Sequence, residues 1–220
     1  ILNVSATSYI HTLADMHAIH MIPKDGYYGI RDMYDCNKIY PSHNLIQEGE
    51  FDLWTEHIIQ NHPKSGGTVL PCGYYFVRIN NDDDEYAIVQ HIKKFFGKNV
   101  IHTTFYQHDA FNINTILTKN PIKPHFIFVK DKIKMGINIY KKYIIAVHDS
   151  PKNVSAHTTI QGFVGRLCGY NANYDALIYC DVRNVEDHIK WLDGVNNIPR
   201  DTRISIKTLS LKSFCQYSIE

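Results

Sequence analysis

Residues 74–104, YYFVRINNDDDEYAIVQHIKKFFGKNVIHTT, decide the fold class. The stretch opens with an apolar run, Tyr74–Ile79, that is too short for a helix and apolar at successive rather than alternate positions. A strand covered on both faces has that pattern. The acidic cluster Asp82-Asp83-Asp84-Glu85 follows, and such residues favour a helix start through capping and the helix dipole. Beyond it, Ile88, Val89, Ile92, Phe95 and Phe96 recur on one face, so the spacing predicts a helix over Asp82–Phe96. A second apolar run, Val100–Thr104, then reads as another strand. Strand, amphipathic helix and strand make a βαβ unit, which implies parallel pairing.

The same alternation continues on either side. Strands are expected at Ile1–Ser5, His125–Lys130, Tyr143–His148 and Ala176–Cys180, with a late one near Arg203–Lys207. Helices are expected at Asp109–Lys119, Thr158–Tyr170 and Val185–Leu192. From Tyr9 to Pro71 the pattern is less regular, with turn signals at Lys24-Asp25-Gly26, Tyr40-Pro41-Ser42 and His62 to Gly67. That region reads as a connector carrying one helix, Glu50–Gln60. The expectation is an α/β fold with a mostly parallel sheet flanked by helices over residues 72–220, preceded by a separate segment, 1–71.

Composition narrows the function classes. In 220 residues, 44% hydrophobic and 12% aromatic content supplies a sizeable core and excludes compositional disorder. A net charge of +1 excludes a global basic field, so nucleic-acid contact falls to local groups such as Lys130, Lys132 and Lys134, or Lys141 and Lys142. The five cysteines are scattered, odd in number and without a C-x-x-C pair, which points to a reducing, intracellular setting. No apolar stretch is long enough to cross a bilayer, so no membrane partner is expected. The chain begins at Ile1, inside what reads as a core strand, which gives the expectation of a piece of a longer polypeptide.

Chemistry concentrates in Thr158–Tyr170, TTIQGFVGRLCGY. An arginine directly after a glycine, with a glutamine upstream, suits contact with a transferring phosphate, because the planar guanidinium is always charged and matches phosphate oxygens at two points. The plainer alternative is a helix-surface Arg166 paired with Asp175 or Asp181. Gly165-Arg166-Leu167-Cys168-Gly169-Tyr170, with Tyr174-Asp175, resembles motif VI of the restriction- and phage-type ATPases, including the Z-one endonuclease family. Tyr27-Tyr28-Gly29 is similar to a Tyr-Tyr-Gly of the same proteins. The order of four segments, Ser5-Ala6-Thr7, Tyr74–Asn80, Lys134-Met135-Gly136-Ile137-Asn138 and Gln161–Tyr170, resembles the tail of a superfamily 2 helicase or translocase from motif III to motif VI.

The resemblance implies a second RecA-like lobe, residues 72–220, after the end of a first lobe in 1–71. It implies ATP and Mg²⁺, bound mainly by a lobe outside this chain, with DNA or RNA and the rest of the polypeptide as partners. Arg166 would be an arginine finger and Gln161 its companion, with Gly136, Asn138, Gly165 and Arg166 facing the nucleotide. Ser5 and Thr7 would couple the lobes, and Arg78, Asn80, Lys130, Lys132 and Lys134 would hold the strand. Three departures stand out. The second motif VI arginine is replaced by the Gly169-Tyr170-Asn171 region, Gln161 sits one residue further from the glycine than is usual, and Tyr174-Asp175 lacks the spacer of Tyr-x-Asp. Gly136 also reads as a helix-ending glycine, and Ser5 and Thr7 as a capped turn.

Thirteen histidines raise a metal reading, but His11, His17, His20 and His148, the last beside Asp149, make no tight set with cysteine, and no metal site is expected. Lys64-Ser65-Gly66-Gly67-Thr68 and Gly97-Lys98-Asn99 both lack phosphate-loop spacing, so this chain alone is expected not to hydrolyse ATP. Two readings from other classes stay open: a non-catalytic nucleotide- or nucleic-acid-binding module, and a metal-dependent nuclease lobe.

Overall fold

The computed structural model describes residues 24–64, 69–106, 112–130, 138–149 and 158–196. Among the described residues six strands form one sheet: β1 (Ile39–Pro41), β2 (Tyr74–Arg78), β3 (Ile101–Tyr106), β4 (His125–Lys130), β5 (Ile144–His148) and β6 (Leu177–Cys180). Their order is β1-β6-β5-β2-β4-β3, and every pairing is parallel. Among the described residues five α-helices pack around it: α1 (Ile30–Asp35), α2 (Glu48–Asn61), α3 (Asp82–Phe96), α4 (Asn114–Leu117) and α5 (Val182–Asn196). The architecture is that of an α/β domain with a parallel sheet flanked by helices, consistent with a RecA-like lobe.

The central strands are apolar throughout because each buries both faces. On one face Tyr75, Val77, Phe126, Phe128, Leu177 and Tyr179 pack with Phe51, Trp54 and Ile58 of α2 and Ile88, Val89 and Ile92 of α3. On the other, Phe76, Ile127, Val129, Val147 and Ile178 pack with Met33 of α1, Leu117 of α4, Val185 of α5 and the segment containing Ile160, Phe163, Val164 and Leu167. Helix α3 begins where expected because Asn81 accepts a hydrogen bond from the Asp84 amide at 2.7 Å. It ends at Gly97, whose φ of +58° suits glycine.

Several expectations are corrected. The stretch read as a connector carries its expected helix, α2, whose Phe51 and Trp54 are fully buried, and it also contributes β1, which pairs with β6. The boundary expected at residue 72 therefore falls inside these layers. Helix α1 and strand β1 are too short to show periodicity. Of the helix expected over Asp109–Lys119, residues 112–119 are described, and among these the helical part is the single turn Asn114–Leu117. Thr158–Tyr170 is not an α-helix: Thr158–Phe163 is a π-helical turn, followed by a 3₁₀ turn over Val164–Arg166. The strands expected at Ile1–Ser5 and near Arg203–Lys207 lie outside the described residues.

Candidate functional site at the crossover of the sheet

The chain leaves the carboxyl end of β2 for α3 on one face, and the carboxyl end of β5 leads to 158–166 on the opposite face. Neighbouring strands whose connections part in this way open a crevice at their carboxyl ends, where ligands of open α/β sheets bind. Each of the two strands delivers polar groups there. Arg78 ends β2, and His148 with Asp149 ends β5.

Arg78 Nε lies 3.2 Å from Asp149 Oδ1, and the Asp149 side chain is 1% exposed. The guanidinium also stacks on Phe163, 4.6 Å from the ring centroid. A Cβ on Gly162 would sit 3.3 Å from Arg78 Nη2, so glycine lets the π turn close over the arginine. Arg78 is thus locked between β5 and the turn that leads to Arg166. Beside it is a cavity of about 20 Å³, room for one water-sized group, lined by His43, Asn44, Arg78, Asn80, Asp84 and His148. His148 Nε2 accepts from the His43 amide at 3.1 Å, and burial pulls its pKa down to about 3. The imidazole is therefore neutral, with its proton on Nδ1.

Arg166 is half-buried, and burial lowers its pKa. Val164, two residues before it, and Leu167, directly after it, are fully in the core, and the Leu167 and Cys168 amides donate back to the Val164 and Gly165 carbonyls. The Asp181 carboxylate, one alternative partner for Arg166, pairs with Arg183 at 2.9 Å. Gly165 lies in the same turn. The backbone of Gln161 lies in the π turn, but its side chain is outside the described residues.

Of the remaining expected residues, three are described. Asn80 is exposed, and its amide donates to Asp84 at 3.4 Å. Lys130 pairs with Asp82 at 2.9 Å at the start of α3. Asn138 is exposed, with its carbonyl accepting from Asn114 Nδ2 at 2.9 Å. Ser5, Thr7, Lys132, Lys134 and Gly136 lie outside the described residues.

Sequence reasoning missed the supports of the arginine turn. Tyr28 and Gly169 exchange two backbone hydrogen bonds, at 3.1 and 3.0 Å, in an isolated antiparallel bridge. Tyr27 meets Tyr170 edge-on at 5.4 Å, Tyr28 meets Tyr174 at 4.6 Å, and the Lys24 amide donates to the Tyr170 hydroxyl at 3.0 Å. The two motifs that carried the family resemblance, far apart in the chain, therefore clasp each other. Lys141, 8% exposed, donates to the Cys168 carbonyl at 2.5 Å. Asp149 drew notice in the sequence only as the neighbour of His148 and not as the partner of Arg78.

Among the described residues, no group of three or more His, Cys, Asp or Glu is placed to hold a metal ion, and no helix is long and apolar enough to cross a membrane. No protein-family model matches the chain, and no solved structure matches it. Over 226 residues it is 29% identical to "Uncharacterized protein L594" of Acanthamoeba polyphaga mimivirus, covering 97% of this chain and 55% of that protein. The chain thus spans about half the length of this curated relative.

Proposed function

We propose that this chain is the second RecA-like lobe of an ATP-driven nucleic-acid helicase or translocase of superfamily 2, most similar to the restriction- and phage-type ATPases. The observation that carries the reading is the clasp between Tyr27-Tyr28 and Gly169-Tyr170. Two short motifs, each resembling the same family, contact each other directly and frame the turn that bears Arg166. Further support comes from the parallel sheet with a crossover crevice at its carboxyl edge.

In this reading ATP sits between this lobe and a partner lobe that carries the phosphate loop and holds Mg²⁺. Arg166 brings a fixed positive charge to the phosphoryl group as negative charge spreads over its oxygens. Burial helps, because a guanidinium fixed by its surroundings needs little reorganisation during the reaction. Arg78 takes a structural part, tying β2, β5 and the π turn into one unit; Asn80 and Lys130 remain strand-contact candidates at the same edge.

The reading is tested by ATP turnover in the parent polypeptide with and without single-stranded nucleic acid. Hydrolysis stimulated by the strand, together with background turnover in the isolated chain, supports it. Strand binding without hydrolysis in the parent polypeptide would replace it with a non-catalytic binding module.

A further inference from the structure

We infer that Lys141, acting with the Tyr28–Gly169 bridge, is a positioning residue that holds the Arg166 turn in its working geometry. Its consequence for catalysis rests on the arginine-finger reading above. Lys141 reaches the turn from the loop before β5, and its Nζ donates to the Cys168 carbonyl, two residues past Arg166. That carbonyl directly follows the tight turn in which the Leu167 and Cys168 amides donate to the Val164 and Gly165 carbonyls. Gly169 follows at φ +139°, and a Cβ there would lie 3.0 Å from Lys141 Nζ. Glycine at this position therefore serves both the backbone conformation and the close approach of the lysine. The bridge to Tyr28 fixes the next step of the chain.

A buried ammonium is a costly way to brace a turn. Burial lowers the Lys141 pKa, and an apolar side chain of similar size would fill the space at less expense. Side chains that break a local rule in this way are expected where function demands a geometry. The Cys168 thiol, beside Lys141 and the Tyr27 hydroxyl, is pushed up to about 12 by burial and stays protonated, so it offers no competing anion.

Two readouts test the inference separately from the reading beneath it. In the 220-residue chain, the Arg166 Nε–Hε NMR signal, identified by its disappearance in Arg166→Lys, reports the order of the guanidinium. Lys141→Met is expected to broaden that signal and to speed amide exchange at Leu167–Gly169 at least tenfold. An unchanged signal in a folded Lys141→Met variant overturns the inference. Should that variant not fold, Lys141→Gln takes its place; its amide is one atom short of the carbonyl, and the same broadening or its absence decides.

In the parent polypeptide, Lys141→Met is expected to lower kcat for ATP about tenfold with KM within about twofold. In an Arg166→Ala background the same change should add no further loss, because the lysine acts through the arginine. A full additional loss there would also overturn the inference. Arg166→Ala without effect on turnover would sink the arginine-finger reading instead, while the NMR result still judges the positioning role.

Discussion

Replacing Arg78 by Met would remove one partner of a buried ion pair. At 3.2 Å and an effective dielectric near 20, the attraction of the pair is about 5 kcal/mol. Desolvating two charges offsets much of that, so the intact pair adds little net stability. Breaking it differs from never having had it: Asp149 is 1% exposed and cannot turn to water. Loss of one partner from such a pair costs about 3–5 kcal/mol, and loss of the stacking on Phe163 adds about 1 kcal/mol. Arg78→Met should therefore destabilise the chain by about 5 kcal/mol in urea denaturation at pH 7. Asp149→Asn should cost less, about 2 kcal/mol, because Arg78 keeps Phe163 and is 12% exposed. The double variant should fall short of the summed single losses by about 2 kcal/mol. Single effects that add to within about 0.5 kcal/mol would refute the claim that these side chains form one coupled unit.

Acid should weaken the fold through two histidines. Burial holds His148 near a pKa of about 3 and His62 near about 4, so both are neutral in the folded chain and take up protons on unfolding. Their contribution is complete above about pH 6.5 and drains as pH falls, by about 3 kcal/mol in total between pH 6.5 and 5. Urea midpoints across that range measure it, and His148→Gln should remove about half the slope; a flat profile would contradict the burial argument. Gly73→Ala should cost about 2 kcal/mol or more, because a Cβ would lie 2.1 Å from Ile145 Cγ1 while the Gly73 carbonyl is fixed by the His125 amide at 2.8 Å. Stability equal to wild type would show that the strand end shifts freely.

The sheet was readable because its physics is local. Tyr74–Arg78 and His125–Lys130 are apolar at every position, and Asp82–Phe96 carries its own cap and apolar face. Strand β1 was not readable: three residues, Ile39, Tyr40 and Pro41, gain their strand character from β6 alone. The Thr158–Tyr170 stretch has helical composition, but the packing of Phe163, Val164 and Leu167 against the sheet imposes π and 3₁₀ turns instead. At the candidate site, Arg78 and Arg166 were legible as residue types. Their supports, Asp149, Lys141 and Tyr28, were not, because each earns its role from a partner distant in the chain.

The central claim is that Arg166 serves ATP hydrolysis, and single-turnover kinetics of Arg166→Ala in the parent polypeptide test it most directly. The account predicts a fall in the hydrolysis rate of about 10³-fold or more, with ATP binding much less affected. A rate within about twofold of wild type would contradict it.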